Sequence, residues 1–283
     1  MAKKRFALIG HHINHSISDL IHKELFSLSK IDASYELIDI AIDEFDNNIY
    51  NVIKSFDGLN VTAPYKQKII KYLDKLDDLA RIINSVNVID CKSMKGFNTD
   101  LFGFKKSLEI NEIKYKTAGI LGAGGVARTI AFGLAQEKCE ISLYIRESSL
   151  DLANKLVSDV KNSFAGVEIS IHNIKKEKIS NMDLLINATP VGMYPDINSC
   201  PIEKNLENCN CVFDCIYNPI ETLLLTYAKE KDIKIINGLQ MLIYQAVKAH
   251  HIWNKTSFDI NEINDLCRLA ESKLIKREGC KFE

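Results

Sequence analysis

Apolar positions along this chain change their period repeatedly. Residues 5–9, 35–40, 58–61 and 86–91 form short apolar or alternating runs, rich in β-branched side chains and bounded by turn residues, which predicts strands. Between them, Leu20, Ile21, Leu25 and Leu28 recur at helical spacing over 18–28, and Phe45, Ile49, Val52 and Ile53 do so over 42–53. Strand alternating with helix implies a largely parallel sheet covered on its faces. After Asp100 a connecting helix over 101–108 leads to a strand at 118–121 and a second α/β series, with strands at 140–145, 167–171, 183–187, 211–215 and 234–236. From Leu239 the pattern turns helical again through Met241, Leu242, Val247 and Trp253, and it ends in a charged helix around 263–275.

The expectation is an α/β protein of two domains. Residues 1–100 form an N-terminal α/β domain completed by C-terminal helices from 239–283, and residues 101–238 are an inserted domain. No repeat, low-complexity tract or Gly/Ser linker separates the halves, so a hinge is expected at the crossings near 100 and 238, where Gly96, Gly103 and Gly238 permit backbone adjustment.

Length and composition agree with this division. A chain of 283 residues, 46% of them hydrophobic, can fill two ordinary cores. With 36 basic and 37 acidic residues the net charge is -1, which gives no field to draw the protein onto nucleic acid or an anionic membrane, so a small-molecule partner is expected. Eight cysteines without a C-x-x-C pair read as free thiols in a reducing compartment. Cys209, Cys211 and Cys215 flank Val212 and Phe213 in a strand-like run, where cysteine acts as a small hydrophobe. His11, His12 and His15 stand in a turn and read as a solvated loop, so no metal is expected at either place. The apolar stretch of the MAKKRFALIG terminus is too short for a signal peptide or a membrane span, and a cytoplasmic protein, monomer or homodimer, is expected.

The inserted domain carries a nucleotide-binding pattern. Gly122, Ala123, Gly124, Gly125, Val126 and Ala127 follow an apolar strand and open a helix, giving the G-x-G-x-x-A fingerprint of a Rossmann-type dinucleotide-binding domain. The first glycine permits a tight turn, the second lets backbone approach a pyrophosphate, and a small residue at 127 lets helix pack on strand. At the end of the next strand stands Tyr144-Ile145-Arg146-Glu147-Ser148. Arg146 suits a 2′-phosphate, whereas Glu147 suits a ribose 2′-hydroxyl, so the residues leave NADP and NAD open, with Arg146 favouring NADP.

In the first half, Ser16, Ser18, Asn60, Thr62, Lys66, Asn87, Asn98, Thr99 and Asp100 cluster at predicted strand ends, where α/β sheets form their ligand crevices. Taken singly, Ser16 or Ser18 reads as a helix cap beside Asp19, Asn60 as a turn former and Lys66 as a solvated helix residue. Taken as a set, they suit a polyhydroxylated ring bearing a carboxylate.

Ordered motifs now carry a resemblance. Ile9-Gly10 with His15-Ser16-Ile17-Ser18, Asn60-Val61-Thr62-Ala63-Pro64-Tyr65-Lys66, Val86-Asn87, Asn98-Thr99-Asp100, Gly122 to Gly125, Asn187-Ala188-Thr189-Pro190-Val191-Gly192-Met193, and Gly238 with Met241-Leu242 and Gln245 resemble the shikimate dehydrogenases across nearly the whole chain. The resemblance implies reversible NADPH-dependent reduction of 3-dehydroshikimate to shikimate on the route to aromatic amino acids. It implies that Lys66 and Asp100 are the catalytic pair. It further implies that Ser16, Ser18, Thr62 and Tyr217 hold the substrate carboxylate end, and that Asn60, Asn87 and Gln245 hold ring hydroxyls. For the cofactor it implies the fingerprint residues together with Arg146, Thr189, Cys215 and Gly238.

Two departures stand out. His12 and Asp19 occupy positions where the family has proline near the serine loop, and the family's N-R-T clamp is here Ile145-Arg146-Glu147, with Leu150 where a further basic residue is expected. A quinate/shikimate dehydrogenase using NAD is the nearest rival activity. A non-catalytic binder of shikimate or nucleotide is the rival from another class.

Overall fold

The computed structural model describes residues 3–14, 16–176, 179, 181–202, 206 and 209–279, with side chains described through Lys276; His15 lies outside the described residues. The chain divides into two compact units, one of residues 1–103 and 243–270, the other of residues 104–242 and 271–283.

The first unit begins β1 (Lys4–Gly10), α1 (Ser18–Leu28), β2 (Ala33–Asp39), α2 (Phe45–Ser55) and β3 (Gly58–Val61). It continues β4 (Lys75–Leu76), α3 (Asp78–Ile83), β5 (Val88–Asp90) and β6 (Lys95–Phe97). Helix α4 (Asp100–Ile110) leads out of it. Its sheet has the order β2-β1-β3-β5-β6-β4. The pairings of β1 with β2 and β3 are parallel, as strand–helix alternation requires. Against the expectation of a largely parallel sheet, β5 runs antiparallel to both β3 and β6. The reason is the four-residue link between β5 and β6, which can close a hairpin but cannot make the long crossover a parallel pair needs.

Alternate β1 residues supply the two faces of this sheet. Ala7 and Ile9 join Phe45, Ile49, Ile53, Val61 and Tyr65 in one core cluster, while Phe6 and Leu8 pack with Phe26 and Tyr35 in another. Helix α8 (Leu239–Asn254) brings Trp253 to the second face, where its ring lies 4.8 Å from that of Phe6 and its indole N–H donates to the Ile89 carbonyl at 2.9 Å. Gly58 makes room for it, since a Cβ there would meet the indole at 2.4 Å. The last helix is α9 (Ile260–Gly279).

Two buried histidines join α1 to α8. His250 Nε2 lies 3.1 Å from His22 Nδ1, and His22 stacks on Tyr35 with centroids 4.2 Å apart. Burial, then the neighbouring His250, lowers His22 well below the ordinary histidine range, and burial lowers His250 to about 3. Both are therefore neutral in the folded chain while the unfolded chain takes up protons below about pH 6.5. Folded pKa values lie below unfolded ones, so the contribution is present above about 6.5 and lost on acidification, by about 1.4 kcal/mol per pH unit for each histidine. The urea midpoint of Trp253 fluorescence, the one tryptophan, 5.9 Å from His250, is expected to fall between pH 7 and pH 5. His250→Gln should flatten that dependence; an unchanged slope would remove the pair from the account.

The second unit contains β7 (Thr117–Leu121), α5 (Gly125–Gln136), β8 (Glu140–Ile145), α6 (Leu150–Ser163), β9 (Ile169–Asn173) and β10 (Met182–Asn187), followed by β11 (Cys209–Asp214), α7 (Leu223–Lys229) and β12 (Lys234–Ile236). Every pairing in its sheet is parallel, in the order β12-β11-β10-β7-β8-β9. The chain thus moves outward from β7 to β9, returns beside β7 and continues to the opposite edge. This doubly wound order opens a crevice at the carboxyl ends of β7 and β10.

Cys209 and Cys211 are buried along β11, and burial pushes the Cys211 thiol up to about 12. The glycines expected to loosen the crossings prove to be packing glycines at two of three positions. A Cβ on Gly96 would lie 2.6 Å from Leu73, and one on Gly238 would lie 2.1 Å from the Cys215 carbonyl oxygen. Gly103 is inside α4.

Candidate functional site

In the first unit, β3 and β6 run one way and β5 the other, so the carboxyl ends of β3 and β6 share an edge with the amino end of β5. Asn60 near the end of β3, Asn87 just before β5, and Asn98 to Asp100 just after β6 therefore meet at one place. The antiparallel β5 explains how Asn87 joins residues from carboxyl strand ends.

Lys66 reaches this edge from the turn after β3. Its backbone carbonyl accepts from the Val86 N–H at 2.8 Å, and its Nζ donates to Asp100 Oδ2 at 2.7 Å. The two side chains are 14% and 10% exposed, so this is not a solvated helix lysine but a mostly buried ion pair. Asn87 organises the other side of the carboxylate. Its Nδ2 donates to Asp100 Oδ1 at 2.8 Å and lies 3.0 Å from Thr99 Oγ1 and 3.3 Å from Gln245 Oε1, while its Oδ1 accepts from the Thr99 N–H at 2.7 Å. One short network thus joins Lys66, Asn87, Thr99, Asp100 and Gln245.

Asn60 borders that network. Its Nδ2 donates to the Asn87 carbonyl at 3.3 Å and its Oδ1 accepts from the Tyr35 hydroxyl at 2.7 Å. Tyr35 is a site-supporting residue that sequence reading does not single out. Burial, with a smaller effect from Asp19, holds its phenol well above the ordinary range, so it stays a donor that fixes Asn60. Asn98 is structural: its amide donates to the Ser85 carbonyl at 3.1 Å and its oxygen accepts from the Leu101 N–H at 3.3 Å, at the start of α4.

Ser16 and Ser18 form a separate buried pair, with Ser16 Oγ donating to Ser18 Oγ at 2.9 Å and accepting from the Ser18 N–H at 3.1 Å. Neither serine occupies the position just before α1, which is Ile17; Ser18 is the first residue of the helix, and Ser16 Oγ accepts from its N–H. The Ser16 and Ser18 hydroxyls thus bond to each other, and the Thr62 N–H donates to the Ile9 carbonyl at 2.9 Å, outside the Lys66 network. Thr62 packs its methyl where a Cβ on Gly10 would come within 2.5 Å.

The second unit holds Tyr217 and every candidate cofactor residue. Gly122 has φ +101°, and a Cβ there would lie 2.9 Å from Thr189 Cγ2, so the turn after β7 requires glycine on both backbone and packing grounds. At Gly124 and Gly125 a Cβ would meet nothing within 4 Å, leaving the N-terminal backbone of α5 open to an anion. A cavity of about 780 Å³ adjoins this turn, with Gly122, Ala123, Gly124, Arg146 and Thr189 in its walls. Lys175, which sequence reading passes over, is there too. Gly125, Val126, Ala127, Cys215 and Gly238 are outside those walls; Ala127 is buried against the sheet, and Gly238 abuts the Cys215 carbonyl.

Thr189 is held by a chain of hydrogen bonds that runs inward to the buried Asn187 and Asp214. Asn187 Oδ1 accepts from the Thr189 hydroxyl at 2.7 Å and its N–H at 3.0 Å, and Asn187 Nδ2 donates to Asp214 Oδ1 at 3.0 Å. Burial raises the Asp214 carboxyl to about 6 despite donation from Thr222, Ile216 and Asn187.

The arrangement therefore offers a buried ammonium–carboxylate pair among amide donors in one unit, and a glycine-lined anion cradle with cations in the other. Among the described residues, no helix is long and apolar enough to cross a membrane. A family model, the shikimate dehydrogenase substrate binding domain, matches residues 8–89. Shikimate dehydrogenase (NADP(+)) of Methanococcus vannielii is 39% identical over 278 residues, covering 94% of this chain and 96% of that protein. Among solved structures, a chorismate mutase/shikimate 5-dehydrogenase fusion protein from Clostridium acetobutylicum matches with TM-score 0.85 and 32% identity, over 97% of this chain and 99% of that one. Shikimate 5-dehydrogenase from Thermus thermophilus, crystallised with NADP(H) and shikimate, matches with TM-score 0.82 and 30% identity, over 94% and 99%. With a match of 39% identity along nearly its whole length, this chain belongs to the shikimate dehydrogenase family.

Proposed function

We propose that this protein catalyses the reversible, NADPH-dependent reduction of 3-dehydroshikimate to shikimate. The observation that carries the reading is the Lys66–Asp100 pair at 2.7 Å, mostly buried and braced by Asn87. NADPH, when bound, supplies the hydride that reduces the ketone carbon. Lys66 gives a proton from its ammonium to the ketone oxygen as negative charge develops there, and takes it back in the reverse direction. Asp100 aims the ammonium and accepts from a substrate hydroxyl. Asn87 and Gln245, with Asn60 held by Tyr35, bind ring hydroxyls, and Ser16, Ser18 and Thr62 bind the carboxylate end. In the second unit, the turn from Gly122 to Val126 takes the pyrophosphate at the start of α5, with Ala127 packing that helix on its strand, while Thr189, Cys215 and Gly238 border the rest of the cofactor and Arg146 takes the 2′-phosphate.

The free thiols among the described cysteines and the net charge of -1 support a reducing, aqueous setting, the cytoplasm, with small molecules as partners. On this reading the working unit is a monomer or a homodimer, and neither nucleic acid nor membrane is a partner.

One assay with shikimate or quinate, each with NADP or NAD, tests activity and selectivity together. The shikimate–NADP combination is expected to give the highest kcat/KM. Ligand binding without any change in nicotinamide absorbance would favour a non-catalytic binder instead.

A further inference from the structure

A phosphate monoester carries between one and two negative charges at neutral pH, and a single guanidinium does not balance them. Arg146 follows β8 directly, with Glu147 adding negative charge beside it. Strand β9 runs parallel to β8 with Asn173 opposite Ile145, and the Ile174 N–H donates to the Ile145 carbonyl at 3.0 Å. The turn after β9 therefore leaves the sheet alongside Arg146. Asn173 fixes that turn, its Oδ1 accepting from the Lys175 N–H and its carbonyl from the Lys176 N–H, both at 3.0 Å.

The two lysines then divide. Lys176 Nζ lies 3.8 Å from Glu147 Oε2, offsetting the acidic neighbour, whereas Lys175 lines the cavity with Arg146. Among the described residues neither Arg146 nor Lys175 is engaged in an ion pair. We infer that Lys175 is the second cation of a 2′-phosphate clamp, supplied from β9, and that it determines the preference for the phosphorylated dinucleotide. The inference rests on reading this cavity as the NADP site.

Calorimetric titration of the full chain with adenosine 2′,5′-bisphosphate and with adenosine 5′-monophosphate tests it without turnover. Wild type should bind the bisphosphate more tightly. Lys175→Gln should weaken the bisphosphate about tenfold, the loss of one charge-assisted contact, and leave the monophosphate unchanged. Lys175→Arg should retain the preference. If Arg146→Gln abolishes the preference while Lys175→Gln keeps it, the inference is overturned and the cofactor reading stands. Equal weakening of both nucleotides in Lys175→Gln also overturns it. Equal binding of the two nucleotides by wild type would instead sink the cofactor reading itself.

Discussion

Replacing Lys66 by alanine is expected to lower kcat by roughly 10² to 10⁴-fold, the usual worth of a positioned proton donor. Shikimate affinity should change by less than about tenfold, because the ammonium acts chiefly as charge develops on the oxygen. The variant leaves Asp100 without its cation but still bonded to the Asn87 amide at 2.8 Å, so circular dichroism and the Trp253 urea midpoint must accompany the kinetics. Equal losses in turnover and in shikimate binding, with the fold intact, would contradict the donor role. Asp100→Asn, which removes the charge but keeps the shape, should also lower kcat.

The other large effect is expected at the turn after β7. Gly122→Ala places a Cβ 2.9 Å from Thr189 Cγ2 on a backbone with φ +101°, a conformation that costs an alanine about 1–3 kcal/mol. Either the turn or Thr189 must shift, and NADPH affinity should fall at least about tenfold for that cost. Gly124→Ala provides the contrast. Its Cβ meets no protein atom within 4 Å, yet the methyl projects from a wall of the cavity. It should weaken NADPH with little loss of stability, whereas Gly122→Ala should lose both. Unaltered NADPH binding in both variants would remove the pyrophosphate from this turn.

Much of the architecture was readable where apolar periodicity is long. The bounds of α1 and β8 follow directly from it, and the fingerprint locates the step from β7 to α5. The short strands β4 and β6 escaped, because Lys75–Leu76 and Lys95–Phe97 are too short to show a period and contain lysine and glycine. With β6 unseen, the hairpin that reverses β5 was unseen too, and so was the reason Asn87 reaches Asp100.

The same limit applies to the site. Lys66, Asp100, Asn87 and Asn60 are conspicuous as polar residues amid apolar runs. Tyr35 and Lys175 are not, since Tyr35 matters through Asn60 two strands away, across β1, and Lys175 through Arg146 after the adjacent β8, relations that only the sheet order reveals. Ser16 and Ser18 are legible by type, but their mutual bond depends on α1 starting after Ile17.

The central claim is that this chain reduces a ketone by hydride transfer. NADPH carrying deuterium at the transferred position, incubated with the protein and 3-dehydroshikimate, tests it most directly. The account predicts shikimate with one deuterium on the carbon that held the ketone, formed in step with NADPH oxidation and lost in Lys66→Ala. NADPH oxidised without deuterium in the product, or substrate bound and recovered unchanged, would contradict it.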